Sequence, residues 1–383
     1  MTKYTLVKFS LGKASLFLTT FLIMCGSGLF NTLFSLYIKN NQGSSMVVGL
    51  LASFYFTGML LGSLKISFFI RGLGYIKSFI SVASLMTISV LSPIITNDMI
   101  IWSFCRLLQG FCVAGIFIII ESWILSIYSY KARGKALSYY MIVLYSSYAV
   151  GQLFFIHSDM DSNFLFCIAA ILINVSIISL SVLDLTPPAM HEQVSNTSQK
   201  FVKSTQGLLD CIISGIFIST IIGMLPIYAQ EISQSNKHIA FVMISVFVAG
   251  VLIQYPIGCL SDKFSKKKIQ FFLNVSFTFF LAIFIYLQYN NNISISMLPI
   301  VSAIMGIFSF SIYPLSTNLI CEDMKQNEII NGIELVMISY GVGSIVGPIY
   351  IAYCMWFFGT TGYFIGYIVL TILLVLNTMR TKM

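Results

Sequence analysis

The stretch RLLQGFCVAGIFIIIESW, residues 106–123, sets an arginine and a glutamate inside a run otherwise too apolar to sit in water. A charge at membrane depth costs from roughly 3 to well over 10 kcal/mol, so a residue of this kind marks a pathway, a relay or a buried lock. Arg106 and Glu121 are therefore the first candidates for function, and the rest of the chain supplies their setting.

The 383 residues are 57% hydrophobic and 9% charged, with a mean hydropathy of +0.91. A soluble domain carries about 25% charged residues. Apolar runs of about 20 residues recur from end to end with the charges in the short gaps between them, which describes a polytopic helical membrane protein. The net charge of +8 comes from Lys and Arg in loops and end segments. It reads as a topology signal and not as a nucleic-acid surface. The eight cysteines are scattered, mostly within apolar runs and never as CxxC. They read as small buried side chains, so no disulfide framework, metal or cofactor is expected. Lys3, Lys8 and Lys13 precede an apolar run longer than a signal-peptide core, which makes that run an uncleaved first span.

Twelve spans are predicted, at about 14–38, 46–70, 76–96, 99–127, 134–156, 163–183, 207–229, 238–260, 269–288, 294–319, 329–355 and 358–378. Of the 21 Lys and Arg, only Lys39 and Lys237 fall on one side and Arg106 lies within a span; all others fall on the opposite side. The positive-inside rule then places both termini in the cytoplasm. The longest polar segment, residues 184–206, contains LTPPAMHEQVSNTSQK and the chain's only Pro-Pro, as a linker does. It divides the chain into 1–183 and 207–383, six spans each. Laid over each other so that Leu33 meets Met224, the halves also match Tyr37 with Tyr228 and the loop 71–77 with 262–268. One residue further, Tyr148 and Gly151 meet Tyr340 and Gly343. The expected fold is an all-α membrane protein of 12 transmembrane helices in two pseudo-symmetric six-helix bundles, an architecture with its site near the midplane.

These residues resemble the major facilitator superfamily, and more narrowly its YcaD-like bacterial branch. The resemblance rests on GLFNTLFSLYI (28–38), VGLLASFYFTGMLLGS (48–63) and IRGLGYIKSF (70–79) in the first half, and on MLPIYA (224–229), QYPIGCLSDKFSKKK (254–268) and YGVGSIVGP (340–348) in the second. The superfamily's cytoplasmic motif after the second span of a half is matched by Gly258, Asp262, Lys263, Lys266 and Lys267, with Ser265 in place of a glycine. In the first half Arg71 stands where the aspartate belongs. Its fourth-span arginine motif is kept as Arg106, Gln109, Gly110 and Ala114, and the resemblance implies a place near a proton or substrate pathway. It also implies that the span-two motif faces span eleven and the span-eight motif faces span five. That suggests two inner-face latches of reversed polarity, Arg71 with Glu334 or Glu328, and Asp262 with Arg133 or Lys135.

Several residues carry two readings. Arg106 lies roughly 10 Å inside its span, and either faces a cavity or snorkels and caps carbonyls. Glu121 is roughly 22 Å further along the same helix; it serves as a rim acid latched to Arg71, Lys77 or Arg133, or as a protonatable coupling site. Asp210 reads as a solvated acid favoured by a helix N-terminus, or as a coupling acid. Gly343, Gly347 and Pro348 are helix-packing positions, as is Gly110. Asn31, Tyr37, Gln109, Gln152, Tyr228, Gln254, Tyr313, Asn318 and Tyr340 are polar or aromatic residues within spans that could line a solute pathway.

The function that follows is secondary active transport of a small solute by alternating access, proton-coupled, by a monomer in the cytoplasmic membrane. A transport-inactive sensor or scaffold is the alternative, prompted by the missing first-half acid. An enzyme is not expected: His191-Glu192 begins an HExxH-like string but position 195 is Ser, and neither GxSxG nor GxxxxGK[ST] occurs.

Overall fold

A computed structural model describes residues 3–128, 133–156, 162–181, 205–290, 294–321 and 329–380. No strand occurs among them, as a chain in hydrocarbon must satisfy its backbone within helices or a closed barrel. The helices of the first half are α1 (Lys3–Gln42), α2 (Ser45–Leu73), α3 (Tyr75–Ile95), α4 (Met99–Ile127), α5 (Arg133–Leu153) and α6 (Ser162–Ser181). Those of the second are α7 (Thr205–Gly223), α8 (Leu225–Ser233), α9 (Asn236–Lys263), α10 (Lys266–Tyr289), α11 (Leu298–Cys321), α12 (Ile329–Phe358) and α13 (Gly362–Arg380).

Among the described residues nine helical runs are long and apolar enough to cross a bilayer, or ten if α7 and α8 form one span. Two features bring this to the twelve crossings of the fold. The run Ile333–Arg380 is two helices, since the turn Gly359–Thr361, with Gly359 at φ +62°, reverses the chain between α12 and α13. The other is α5, which opens on Arg133, Gly134 and Lys135 and is diluted by Ser and Tyr.

One span differs from its sequence expectation. The run 207–229, read as one helix, is broken at Met224 into α7 and α8, bent by 45°. Pro226 has no N–H to give the carbonyl four residues back and its ring crowds that carbonyl, and Gly223 lowers the cost of a break just before it. The linker 184–206 lies outside the described residues save its last two, which begin α7.

The chain forms two compact units, Met1–Phe34 with Thr57–Ser195, and Ser35–Phe56 with Asn196–Met383. In the first, Trp102, Trp123, Tyr140, Phe30, Phe79 and Phe166 are fully buried, and α3 packs on α4 and α6. In the second, α12 packs on α7, α11 on α9 and α10 on α13. Each unit brings helices together at glycine, as bilayer packing favours. A Cβ at Gly151 of α5 would stand 2.5 Å from the Cys25 carbonyl of α1, and one at Gly343 of α12 would overlap the Ile212 carbonyl of α7. The aligned pair Gly151 and Gly343 thus plays the same part in both units.

Ser35–Phe56, which the sequence assigns to the first half, packs with the second. Gly49 leaves room for the Pro348 carbonyl, 2.7 Å from where a Cβ would be. Ser53 Oγ donates to the Ile345 carbonyl at 2.6 Å.

Candidate functional site

Arg106 sits two turns into α4 and is 3% exposed, beside Asn31 at 2% and Gln109 at 0%. Its Nη1 donates to Asn31 Oδ1 of α1 at 2.9 Å and to Gln109 Oε1 at 2.6 Å. The guanidinium carbon lies 5.0 Å from the Phe34 ring centre and 5.7 Å from that of Phe30, within range of cation–π attraction. The side chain therefore turns inward toward α1 and does not snorkel. The i, i+3 spacing on α4 puts Gln109 on the same face, and Gln109 Nε2 is a buried donor without a partner. Together these groups form a buried polar cluster with one fixed positive charge and a spare amide donor, floored by two aromatic faces. Such a set recognises a carboxylate, a phosphate or a polar solute carrying an apolar ring.

The other sequence candidates are placed as follows. Tyr37 is half-buried on α1. Gln152 is buried and its Nε2 donates to the Gly28 carbonyl at 3.0 Å and the Tyr148 carbonyl at 3.3 Å, which ties α5 to α1. Tyr228, in α8, is packed against Tyr363 and Phe364 of α13 with ring centres 5.1 and 4.9 Å away. Tyr313 meets Tyr340 edge-on at 5.1 Å. Glu121 faces the buried Tyr140 of α5 and makes no ion pair with Arg71 or Lys77. Gly110 is buried on α4, and a Cβ at Gly347 would press on Ser219 Oγ at 2.5 Å. Arg71 and Glu334 are both exposed, one in each unit. Glu328 and the side chains of Asp262, Arg133 and Lys135 lie outside the described residues.

Two groupings were not foreseen. Asp210, for which a solvated acid and a coupling acid were both open, is fully buried and bonded to amides of α10 and α13. At the ends of α1 and α8, Lys39 Nζ stands 2.9 Å from Glu231 Oε1 and donates to Ser45 Oγ at 2.7 Å, while Gln230 Nε2 donates to Asn40 Oδ1 at 2.7 Å. In the sequence Lys39 stands only as one of two cations on the sparsely charged side, and nothing local pairs it with Glu231. A separate groove of about 340 Å³ between α9 and α11, lined by Val248, Leu252, Ala303 and Ile307, is apolar and holds none of the candidates.

The family model of the Major Facilitator Superfamily matches residues 16–232 and 208–381. The chain is 26% identical over 340 residues to the MFS-type transporter YcaD of Escherichia fergusonii, covering 87% of this chain and 86% of the relative. It is 27% identical over 342 residues to an MFS-type transporter of Yersinia pestis, covering 85% and 86%. In fold it is similar to a mutant of the nucleoside transporter NupG, with a TM-score of 0.82 at 11% identity over 97% of this chain and 100% of that one. A D-xylose-proton symporter gives 0.72 at 13% identity over 97% and 96%. Matched along nearly its whole length, with the arginine motif in place, the chain belongs to the Major Facilitator Superfamily, beside its YcaD-like bacterial members.

Proposed function

We propose that this protein is a secondary active transporter of the cytoplasmic membrane that moves a small anionic or amphipathic solute by alternating access, driven by protons. It works as a monomer with both termini in the cytoplasm. The observation that carries the reading is the Arg106–Asn31–Gln109 cluster: a guanidinium held roughly 10 Å inside a span on neutral amide oxygens, with an unused amide donor at its side. A charge this deep is rare and marks a pathway, and a solute whose negative group meets it gains a charge-assisted hydrogen bond only while bound, which suits a carrier.

The contacts of Ser35–Phe56 support a cycle in which one side closes. Lys39–Glu231, Ser53–Ile345 and Gly49 on Pro348 are small, separable contacts, and alternating access would part them while Arg71–Glu334 or Glu328, and Asp262–Arg133 or Lys135, form on the opposite face. The proton symporter among the fold neighbours makes the proton the first driving ion to test. The sensor or scaffold reading keeps one observation in its favour, Arg71 in place of the first-half acid. A thermal-shift panel of small organic anions, neutral sugars and nucleosides on purified protein, followed by counterflow of each hit in proteoliposomes, separates the readings. Transport requires a hit that exchanges across the bilayer and is lost in Arg106→Gln; binding with no exchange by wild-type protein supports the sensor.

A further inference from the structure

Inside the second unit, polar side chains of four helices meet around Asp210, with Asn274 one helical turn beyond Gln270 on α10. Asp210 (α7), Gln270 and Asn274 (α10) and Ser316 (α11) are each 0 or 1% exposed, and Asn377 (α13) is half-buried. Gln270 Nε2 donates to Asp210 Oδ2 at 2.7 Å and lies 3.4 Å from Ser316 Oγ; Asn377 Nδ2 lies 3.3 Å from Asp210 Oδ1. The surroundings are Cys211, Ile320 and Val336, backed by Leu208 and Tyr313. Charged groups on the elements around Asp210 are Lys266, Lys267 and Lys268 at the start of α10, Arg380 at the end of α13 and the exposed Glu334 of α12; α11 has none among its described residues. None of them makes an ion pair with Asp210.

A buried carboxylate held only by neutral amides leaves a full negative charge uncompensated in a low-dielectric site. Three buried amide atoms of α10 have no partner: Gln270 Oε1, Asn274 Oδ1 and Asn274 Nδ2. Gln270 Oε1 belongs to the amide that already points into the cluster. Half a turn of that amide exchanges its oxygen and nitrogen, placing Oε1 where Nε2 now stands, 2.7 Å from Asp210 Oδ2. That spacing is the usual one for an O–H donating to an oxygen, whereas an alkali cation between the two would push them apart. The exchange leaves the Gln270 nitrogen where Oε1 now stands, on the helix face that Asn274, one turn along, shares, and Asn274 Oδ1 lacks a donor.

We propose that Asp210 is a proton-binding site within the second bundle and that the Gln270 amide is its two-position rotor. Unprotonated, the carboxylate accepts from both amides. On taking one proton from water at Oδ2 it becomes neutral and donates to Gln270 Oε1. Coupling this site to solute movement rests on the transport reading above; the binding of the proton does not.

The test is labelling of the purified full chain by dicyclohexylcarbodiimide, which adds to a protonated carboxyl in an apolar place and rearranges to a stable N-acylurea, read on the Asp210 peptide by mass spectrometry. Labelling is expected to fall at least tenfold as pH is raised between about 5 and about 9 and to be the same in Na⁺ and choline buffers. Gln270→Leu, which keeps the carboxyl and loses the rotor, should change labelling at fixed pH by about threefold or more, and Asp210→Asn should abolish it. Labelling independent of pH, protection by Na⁺ at constant pH, or no effect of Gln270→Leu each overturns the proposal. Titrating label in protein that carries no solute would leave the proton site standing and sink the transport reading, and the reverse pattern would do the opposite.

Discussion

Neutralising Glu231 should open the face of the molecule at the ends of α1 and α8. Lys39 Nζ lies 2.9 Å from Glu231 Oε1, and Ser45 Oγ bridges the pair, accepting from Lys39 at 2.7 Å and reaching Glu231 at 3.2 Å. The two side chains keep 21% and 24% of their exposure. Water therefore screens the pair, and its net worth is about 0.5–1 kcal/mol, far below the Coulomb energy of a dry pair at that distance. A change of 1 kcal/mol is about a fivefold change in an equilibrium constant. In Glu231→Gln the closed-to-open ratio at this face should drop by up to about fivefold, and Lys39→Met should match it. The double variant should add nothing further, because each change removes the same interaction. Spin labels at the exposed Gln42 and Gln234, in a background without native cysteines, report the separation by pulsed dipolar spectroscopy. Distance distributions that are identical in wild type, both single variants and the double variant would refute the latch.

Other substitutions discriminate packing from transport. Gly343→Val places a Cβ, with two further methyl groups on it, against the Ile212 backbone carbonyl, which cannot move aside as a side chain would; a loss of about 3 kcal/mol or failure to fold is expected, checked by detergent thermal unfolding beside the smaller Gly343→Ala. For Tyr228, whose hydroxyl has no partner and whose ring is stacked, Phe should leave melting temperature and flux within error, while Ala should cost about 3–5 kcal/mol. Flux lost in Tyr228→Phe with stability intact would instead make the hydroxyl a solute contact. Gln152→Leu removes the donor to the Gly28 carbonyl and should cost about 1–2 kcal/mol, seen as faster amide exchange in α1 and α5; unchanged exchange would contradict the tie.

Much of the fold was legible because hydropathy has a long reach. Eleven of the twelve spans coincide with helices to within a few residues, and the last reversal, expected at 356–357, lies at Gly359–Thr361. The break of the seventh span was not legible to a window that averages over it, although Gly223 and Pro226 stood in plain sight. At the site, the RxxQG spacing gave Gln109 with Arg106, because i, i+3 residues share a helix face. Asn31 and the two phenylalanines lie some seventy positions upstream and join only through the α1–α4 contact. Gln152 and Tyr228 were polar residues in spans with no sign of which neighbour each would meet; one ties two helices and the other fills an aromatic core. For Asp210 the choice between a solvated acid and a coupling acid was not legible for the same reason: its amide partners sit on α10 and α13, far along the chain.

On the proposed function, the buried guanidinium of Arg106 serves a proton-driven carrier. The most direct measurement is flux of a solute found by the binding panel into proteoliposomes under equal and opposite pH gradients, for wild type and Arg106→Ala at matched protein. Rates should differ with the direction of the gradient and fall by at least about tenfold in the variant, a loss of 1.4 kcal/mol or more of solute stabilisation. Equal rates under both gradients, or a variant as fast as wild type, would contradict it.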